Sequence, residues 1–538
     1  MTRRDPAFVV LPAAAVLTRI PAMPRTLSDF DAAAFAEAIR GFDPIRFHPH
    51  PPGYAFYVLA GKLVATFGPT PERALAWLSV AGSAATAAAL YAFGRALANR
   101  TVGWIAVMLF LASPLAWTYG STQGTYGFGA LGAILVGYGA WQRLSGRALH
   151  AGLLGFLAGI AAGFRPDTAV VVTPLLVVAT ALAPSIHGLE RPRALLEAAL
   201  GGTLGLALWM APTISACGGW SAYHAAVVRQ WEAVAFSNAE SRFTWLLFRG
   251  VNVAKLCVYG AFALGPLGAL LFAWASARTA RDAAIEPATK VTLFAWILGY
   301  ALLSGLVAFG QPGMLLTALP AVTLTIALAL AGGSRPLPPR RSLAVATCAA
   351  AMCGAIFWWA PGLSERGFFD SHAALPAKVR TELELFTRPG LALVDRELGG
   401  RLAAIRRDFD PHDTLVLTNA ASSTRAMYAL PGYRVACYFA FAGFAAPMPS
   451  REVGEPRATW PLPPGSRWLV LLDVDRHGLA VDDQLALRLR LPAGGPSATL
   501  PSPSKAVHAV SLDGIGAIRF RNGSIELLPS ATALPSRS

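Results

Sequence analysis

Charged residues are scarce in this sequence. They make up 14% of its 538 residues, whereas hydrophobic residues make up 54%, and the mean hydropathy is +0.48. Soluble globular domains carry about 25% charged residues, so this composition excludes a purely water-soluble protein. The long uncharged runs lie almost entirely within residues 1–361, whereas residues 362–538 have the composition of an ordinary polar domain. We therefore predict two domains with these bounds.

Cysteine is also rare. The five cysteines are odd in number, widely spaced and mostly set within apolar runs: Cys217, Cys257, Cys348, Cys353 and Cys437. This spacing excludes a disulfide framework and a CxxC-type metal site. We assign the cysteines no role.

Acidic residues are fewer than basic ones, and most of the imbalance belongs to the apolar region. Residues 1–361 contain 25 Lys and Arg against 13 Asp and Glu, whereas residues 362–538 contain 20 against 17. Basic residues beside hydrophobic spans orient a chain in the bilayer and contact anionic lipid headgroups. The basic excess therefore predicts membrane lipids as partners and argues against nucleic acid.

Long apolar runs recur along the first domain. A helix needs about 20 apolar residues to cross a bilayer. By that criterion we predict eleven spans, near residues 6–20, 74–97, 101–118, 121–141, 150–165, 168–184, 194–215, 251–276, 291–309, 314–331 and 343–361. The predicted fold class is a polytopic α-helical membrane protein.

The connections between these spans differ in charge. Those that would lie on the same side as the N-terminus all contain basic residues: Arg95 and Arg100, Arg143 and Arg147, Arg191 and Arg193, Arg278, Arg281 and Lys290, and Arg335, Arg340 and Arg341. The opposite short connections, 120–123 and 310–313, contain no Lys or Arg. The positive-inside rule then predicts a cytoplasmic N-terminus and a periplasmic C-terminal domain. The Ala-, Gly- and Arg-rich composition indicates a bacterial inner membrane.

Two segments on the predicted outer side are too long to be simple connectors, residues 21–73 and 216–250. The second has many aromatic residues among polar ones, which is typical of helices at a membrane surface, and we expect it to cover a cavity. The C-terminal domain begins with a predicted helix over 378–407. Short apolar runs between Pro- and Gly-rich turns then predict a small α/β or mixed β domain, with strands at 414–418, 433–439, 468–473, 485–491, 506–511 and 517–521.

The most informative stretch runs from Thr26 to Tyr57. Phe35, Ile39 and Phe42 are spaced as on one helical face, which predicts an amphipathic helix over 29–42 with Asp29 and Asp31 in its first turn. One interpretation is structural, because Ser28 to Asp31 fits a capping box in which Asp31 binds the N-cap amide. The other interpretation makes Asp31 a catalytic group.

A proline-rich turn follows this helix. The turn has the sequence His48-Pro49-His50-Pro51-Pro52-Gly53-Tyr54. Its three prolines restrict the backbone, and this restricts the positions of the two imidazole side chains. An aspartate four positions before Phe35-Ala36, followed by an HPPGY-type turn that enters a helix, resembles the first outer loop of GT-C glycosyltransferases. The nearest likeness is to the bacterial branch related to protein O-mannosyltransferases and lipid A aminoarabinose transferases. Many relatives carry a second carboxylate where this chain has Ala32.

The resemblance implies transfer of a sugar from a polyprenyl-phosphate lipid to an acceptor (glycan, lipid or protein) on the outer face. A hydroxyl acceptor must lose a proton, so Asp31 is the candidate general base. The departing lipid phosphate needs a cation or hydrogen-bond donor, and we assign donor binding to His48, His50, Tyr54 and Arg165. Arg165 also has a structural interpretation, as an ion pair with Asp167 or a cation at the headgroups.

Other interpretations of these residues remain open. His48, His50 and Asp31 carry ligand types that suit a divalent metal, although the two histidines do not have a recognised metal-ligand spacing, and simple packing of the turn is a third interpretation. Asp29, Asp167 and Lys62 are secondary candidates, Lys62 being a surface lysine or a phosphate contact.

Two other classes of function compete with the transferase. A polytopic transporter or lipid flippase would share the many spans, but such folds usually show internal repeats and interrupted helices at the bilayer midplane, and neither is visible in the sequence. A membrane-anchored binding protein would not need eleven spans. The ionisable residues singled out here lie at the outer boundary of the predicted spans, which favours interfacial chemistry.

Overall fold

The computed structural model describes residues 5–184, 190–235, 242–307, 311–359, 383, 385–438, 452–453, 459–472, 489–490, 507–521 and 524–530. Within these ranges, side chains are not described at 231–235, 242–249, 306–307, 419–422, 437–438, 452–453, 459–461, 520–521 and 524. Parts of the predicted helix 378–407 and of the predicted strand 485–491 lie outside the described residues, as do most aromatic side chains of segment 216–250.

The chain divides into two compact units. Unit 1 comprises residues 1–23, 51–227 and 234–390, and unit 2 comprises residues 24–50, 228–233 and 391–538. The sequence predicts a boundary at residue 361 and places all of segment 21–73 in the first domain. The contacts instead group residues 24–50 with the C-terminal region, and the division falls between His50 and Pro51, inside the proline-rich turn.

Unit 1 is built from helices. Those before residue 150 are α1 (Ala7–Arg19), α3 (Ala55–Ala65), α4 (Pro71–Leu97), α5 (Arg100–Ala112), α6 (Pro114–Tyr119) and α7 (Tyr126–Leu144), and α2 (Phe30–Arg40) belongs to unit 2. The later ones are α8 (Ala151–Phe164), α9 (Asp167–Ala181), α10 (Glu190–Ala216), α11 (Trp220–Ala235), α12 (Arg242–Arg281), α13 (Pro287–Leu302), α14 (Leu319–Ala331) and α15 (Pro339–Trp359).

Every predicted span overlaps one of these helices, but three are interrupted. The span predicted at 101–118 breaks at Ser113, because Pro114 cannot continue α5 and instead begins α6. Residues 312–317 form a 3-10 helix before α14. Gly265 has φ +64° inside α12, so that helix is kinked at this residue, which precedes Pro266.

Five of the described helices are long and apolar enough to cross a membrane: Pro71–Leu97, Glu190–Ala216, Gly250–Arg281, Pro287–Gly305 and Pro339–Trp359. Shorter apolar helices occupy Ala7–Ala22, Ala55–Ala65, Arg100–Ala112, Ala151–Phe164, Asp167–Ala181 and Leu319–Ala331. The predicted polytopic helical class is confirmed. The number of eleven spans stays a prediction.

Helices α8 and α10 pack closely along a row of small residues. A Cβ on Gly201 of α10 would lie 1.9 Å from the carbonyl oxygen of Gly152 in α8, and a Cβ on Gly155 would lie 1.9 Å from that of Ala198. Only glycine at these positions lets the two backbones approach so closely. This packing matters for the site because α8 ends directly before Arg165.

Among the described residues of the C-terminal region, unit 2 contains two helices, α16 (Arg388–Asp408) and α17 (Ala420–Ala429), and two sheets. The first sheet has the order β3-β2-β1-β5-β7, formed by Glu452–Val453, Arg434–Tyr438, Thr414–Asn419, Trp468–Leu472 and His508–Ser511. Strand β1 pairs in parallel with both β2 and β5, and β5 pairs with β7 in antiparallel. The second sheet has the order β4-β8-β9-β6, formed by Thr459–Pro461, Ile515–Arg521, Ser524–Pro529 and Leu489–Arg490.

The first sheet has the α/β arrangement, and the second sheet contains both antiparallel and parallel pairs, so both predicted descriptions of this domain apply. Helix α17 connects the parallel strands β1 and β2, as a parallel pair requires. The sequence did not predict α17, because Ala420-Ala421-Ser422-Ser423-Thr424 has no apolar helical period. Strand β9 was also missed, since it is completed by pairing with β8 rather than by a strong pattern of its own.

Candidate functional site

Helix α2 begins differently from the capping box expected at this position. Asp29 is the N-cap residue, and its side chain accepts a hydrogen bond from the Ala32 amide at 2.8 Å. The Ser28 hydroxyl donates to the other carboxylate oxygen of Asp29 at 3.3 Å. The prediction that Asp31 binds the N-cap amide of Ser28 is therefore wrong by register, because the helix starts one residue later. Its end is also earlier than predicted, at Arg40, with Gly41 as C-cap.

The Asp31 carboxylate is thus available for another partner, which is His50. The His50 Nδ1 atom lies 3.5 Å from Asp31 Oδ1, with the side chains 12% and 41% exposed respectively. The His50 ring also packs against Phe35, with ring centroids 6.0 Å apart. The structure brings together the predicted base and one predicted donor-binding residue.

The segment after α2 folds back to place His50 beside that helix. Asp43 and His48 exchange two backbone hydrogen bonds, at 2.7 and 2.9 Å, that close the loop between them. Within the loop, Asp43 accepts hydrogen bonds from the amides of Ile45 and Arg46, and Phe47 has φ 61°. Pro49 then follows, with a cis peptide bond to His48.

His48 does not join the Asp31–His50 pair. The charged groups that influence its imidazole are Glu37, Asp43 and Arg46, and burial of the ring lowers the pKa of His48. Among the described residues, no three His, Cys, Asp or Glu side chains lie together in a group that holds a metal ion. His48, His50 and Asp31, for which a metal was one of the open interpretations, do not form such a group in this structure.

Asp29 has an unusual electrostatic setting for a capping residue. Burial, followed by repulsion from Asp31, raises the pKa of Asp29 to about 6, although the Ala32 amide and the Arg425 guanidinium act in the opposite direction. Arg425 lies in α17, which packs against α2. Sequence reasoning missed Arg425, because nothing local in the sequence connects it to residue 29.

In unit 1, Arg165 follows directly after α8 and is 5% exposed. Its guanidinium donates to the Thr125 hydroxyl at 2.8 Å and to Asp167 Oδ2 at 2.7 Å. The guanidinium carbon also lies 3.7 Å from the centroid of the Tyr126 ring. The ion pair predicted by the structural interpretation is therefore formed.

Two features of the Arg165 environment are compatible with binding of a ligand in addition to this ion pair. A Cβ on Gly129 of α7 would lie 3.0 Å from the Arg165 Cδ atom, so the absence of a side chain there makes room for the arginine. The Arg165 Nε atom is buried and has no hydrogen-bond partner among the described residues. A buried cation with an unused donor is suited to an anionic ligand.

Two further predicted residues lie in or next to α3. Tyr54 is the residue before α3, and its backbone has a left-handed conformation, with φ 47° and ψ 41°. Its phenol is among the groups that interact electrostatically with Arg165. Lys62 lies near the end of α3 with a half-buried side chain, and forms no ion pair with any described residue. The structure therefore connects Tyr54 with Arg165, and among the described residues it shows no corresponding ion pair for Lys62.

Sequence reasoning missed the residues that surround Arg165. Thr125 and Tyr126 lie at the start of α7, and the Tyr126 hydroxyl donates to Gln311 at 2.7 Å. Thr125 is also fully buried, as are Ser121, Thr122 and Gln123 in the connection before α7. A run of polar residues between two apolar helices was the signal that could have identified this connection.

Comparison with solved structures gives the fold a name. The structure of ArnT from Cupriavidus metallidurans bound to undecaprenyl phosphate matches this chain with a TM-score of 0.57 and 13% identity, over 94% of this chain and 98% of that one. The structure of the same protein in the apo state matches with a TM-score of 0.52 and 14% identity, over 86% and 92%. This chain has the GT-C fold.

The fold expected from the HPPGY-type loop is thus confirmed, and the match extends over the helices and the C-terminal region alike. Neither a protein-family model nor a curated protein sequence matches this chain. The GT-C assignment therefore depends on three-dimensional structure. The roles of the individual residues in the first loop stay predictions.

Proposed function

We propose that this protein is a membrane glycosyltransferase that moves a sugar from a polyprenyl-phosphate lipid to an acceptor on the outer face of the membrane. The observation that carries the proposal is the GT-C fold, matched over 98% of an ArnT structure whose bound molecule is undecaprenyl phosphate. A shared fold by itself does not define an activity. The first-loop carboxylate and the buried arginine supply the chemistry that supports this one.

The reaction needs a group that accepts a proton. An acceptor hydroxyl attacks the anomeric carbon, the bond from that carbon to the phosphate oxygen breaks, and the bonding electrons leave with the lipid phosphate. The hydroxyl proton passes to Asp31, the general base in this proposal. His50, 3.5 Å away, orients that carboxylate and limits the positions it adopts. The products are the glycosylated acceptor and free polyprenyl phosphate.

The reaction also needs a group that binds the leaving phosphate. Arg165 is the best candidate, because it is buried, is fixed by Thr125 and Asp167, and retains a donor at Nε. A preorganised cation of this kind stabilises the charge that develops on a departing phosphate. His48, His50 and Tyr54 are proposed as further donor contacts, and Asp29, Lys62 and Asp167 as secondary candidates.

The location follows from the same proposal. The first loop and the C-terminal domain face the periplasm of a bacterial inner membrane, the N-terminus lies in the cytoplasm, and residues 1–361 form the membrane domain apart from the first-loop segment grouped with unit 2. Lipid-linked sugar then reaches the site from the outer leaflet. The acceptor is a glycan, lipid or protein exposed on that side.

The proposal is tested with purified protein in vesicles that contain undecaprenyl-phosphate-linked sugars and host membrane extract as the source of acceptor. Release of undecaprenyl phosphate, together with transfer of radiolabelled sugar to a new product, is the expected result. Movement of the intact lipid between leaflets without release would show the competing transporter or flippase function. An Arg165→Met/Asp31→Asn double variant is the negative control.

A further inference from the structure

The C-terminal region contacts the first loop at three places: before helix α2, at its start and at its end. Before the helix, the Asp395 carboxylate of α16 accepts hydrogen bonds from the amides of Arg25 and Thr26, at 2.8 and 2.7 Å, and from the Thr26 hydroxyl at 2.7 Å. Hydrogen bonds to a charged carboxylate are stronger than neutral ones. The chain that leads into α2 is therefore tied to α16.

The small size of a residue on α16 helps this contact. Gly399 lies one helical turn after Asp395, and a Cβ added there would be 3.4 Å from the Thr26 methyl carbon. The Thr26 side chain thus packs directly against α16. No local pattern in either segment requires this, so the contact is a product of tertiary packing.

The second and third places involve α17. Arg425 is buried and lies near enough to Asp29 to favour the ionised form of that N-cap carboxylate. At the other end of α2, the Arg40 guanidinium carbon lies 4.0 Å from the centroid of the Tyr428 ring, a cation–π contact. Between these two contacts α17 packs against α2.

None of these contacts uses Asp31. Within the part of the chain that the structure describes, the only ion pair of Asp31 is with His50, and its side chain remains 41% exposed. The C-terminal helices therefore hold the helix that carries Asp31 and leave its carboxylate open to an acceptor.

We infer that Asp395 and Arg425 are positioning residues for the α2 carboxylates, so that the C-terminal domain is needed for proton transfer at Asp31. The inference rests on the proposed function. A carboxylate that is displaced by about 1 Å from its productive geometry loses about 10²-fold in rate. The C-terminal domain thus has a role in the chemical step.

The test compares three variants of the full-length protein in vesicles. Asp395→Ala removes the acceptor of the bonds from Arg25 and Thr26, and Arg425→Met removes the charge near Asp29, whereas Arg425→Lys retains that charge. Glu397→Ala is the matched control, because Glu397 lies on the same helix and pairs with its exposed neighbour Arg396. The measurements are kcat and KM for an undecaprenyl-phosphate-linked sugar, and hydrogen exchange of the α2 amides.

For Asp395→Ala and Arg425→Met we expect kcat to fall by about 10²-fold with KM changed less than about threefold, and α2 amides to exchange faster while α8 amides do not. Arg425→Lys should recover most of the lost kcat, and Glu397→Ala should behave as wild type. The inference is overturned if α2 exchange stays unchanged, or if exchange rises while kcat does not fall. If the wild type itself transfers no sugar, the proposed function fails, and the exchange data alone then decide whether these residues hold α2.

Discussion

Asp29 and Asp31 lie two positions apart at the start of α2, yet their carboxylates have different partners. Asp29 accepts from the Ala32 amide and interacts with Arg425, whereas Asp31 pairs with His50. Sequence alone assigned the cap to the wrong pair of residues. Because the helix starts one residue later than expected, the structural explanation that competed with catalysis for Asp31 does not apply.

The first prediction concerns the general base. Asp31→Asn removes the proton acceptor but leaves the cap at Asp29 intact, so transfer should fall by about 10²- to 10⁴-fold while the melting temperature and undecaprenyl phosphate binding stay close to wild type. Glu37→Gln is the control on the same helix. Purified variants are compared for sugar transfer and for thermal unfolding.

Two results would contradict this assignment. If Asp29→Asn abolishes transfer while Asp31→Asn retains it, the base is Asp29, whose raised pKa of about 6 already brings it nearer to the range of a neutral-pH base. If both variants retain transfer, α2 carries no general base.

The second prediction separates two roles of Arg165. Arg165→Met leaves the partly buried Asp167 carboxylate without its cation, which should lower the free energy of unfolding by at most about 3–5 kcal/mol, the cost for a fully buried pair. In the double variant with Asp167→Asn the unpaired charge is gone, so stability should largely recover. Undecaprenyl phosphate binding should not recover, because the donor to the phosphate is still absent.

Arg143→Met is the matched control for this comparison. Arg143 is a partly buried arginine in the last turn of α7 whose Nε donates to the Ala179 carbonyl at 3.2 Å. Native mass spectrometry with undecaprenyl phosphate measures binding for all four proteins. If the double variant binds the lipid as wild type does, Arg165 has only the structural role.

At the scale of elements, the position of Arg165 depends on how closely α8 approaches α10. Arg165 follows the last residue of α8, and α8 is held against α10 by glycines whose replacement would place a Cβ against backbone. If α8 were displaced from α10, Arg165 would therefore move relative to Thr125, the N-cap residue of α7. Helix α8 therefore links the glycine contacts with α10 to the position of Arg165.

The third prediction tests this connection. Gly201→Ala places a Cβ 1.9 Å from the Gly152 carbonyl oxygen, so the helices must separate, at a cost of about 1–3 kcal/mol. Gly202→Ala is the control, because its Cβ would meet the Gly155 carbonyl oxygen at an ordinary 3.6 Å. We expect a lower melting temperature and weaker lipid binding for Gly201→Ala alone. Equal melting temperatures for the two variants would refute the close packing.

At the scale of the whole molecule, the charge pattern of the connections predicts which side each part faces. The helices that would carry these connections are present, and the basic residues lie at their ends, such as Arg95 near the end of α4 and Arg278 near the end of α12. The fold and the charge pattern are compatible with one orientation. The orientation itself stays a prediction.

The fourth prediction is therefore topological. In a cysteine-free background, Arg490→Cys in unit 2 should react with a membrane-impermeant thiol reagent in cells whose outer membrane is permeabilised, and Arg340→Cys in the first turn of α15 should not. Both side chains are exposed. Both cysteines should react after the inner membrane is lysed, which controls for accessibility. Protection of position 490 in unlysed cells would reverse the assigned orientation.

The sequence by itself determined the class of molecule and most of its elements. Long apolar runs with few charges must be buried in lipid or protein, and a helix satisfies its backbone hydrogen bonds within the segment. Every predicted span accordingly overlaps a helix. Local stereochemistry likewise determines that the helix breaks before Pro114, although the predicted span 101–118 continues through that residue. The proline-rich turn was visible because proline and glycine restrict the backbone of their own neighbourhood. These features depend on residues that are close in sequence.

Only the tertiary structure decided which side chains meet. Asp395 contacts Thr26 across 369 positions, Arg425 reaches Asp29, and Thr125 binds Arg165 across 40 positions. No hydrophobic period encodes such pairs, because they arise when separate helices and sheets bury their apolar faces together. For the same reason residues 24–50 group with the C-terminal region, although the sequence assigned them to the membrane domain. A segment belongs to the unit with which it makes most of its contacts, and these contacts are not encoded locally.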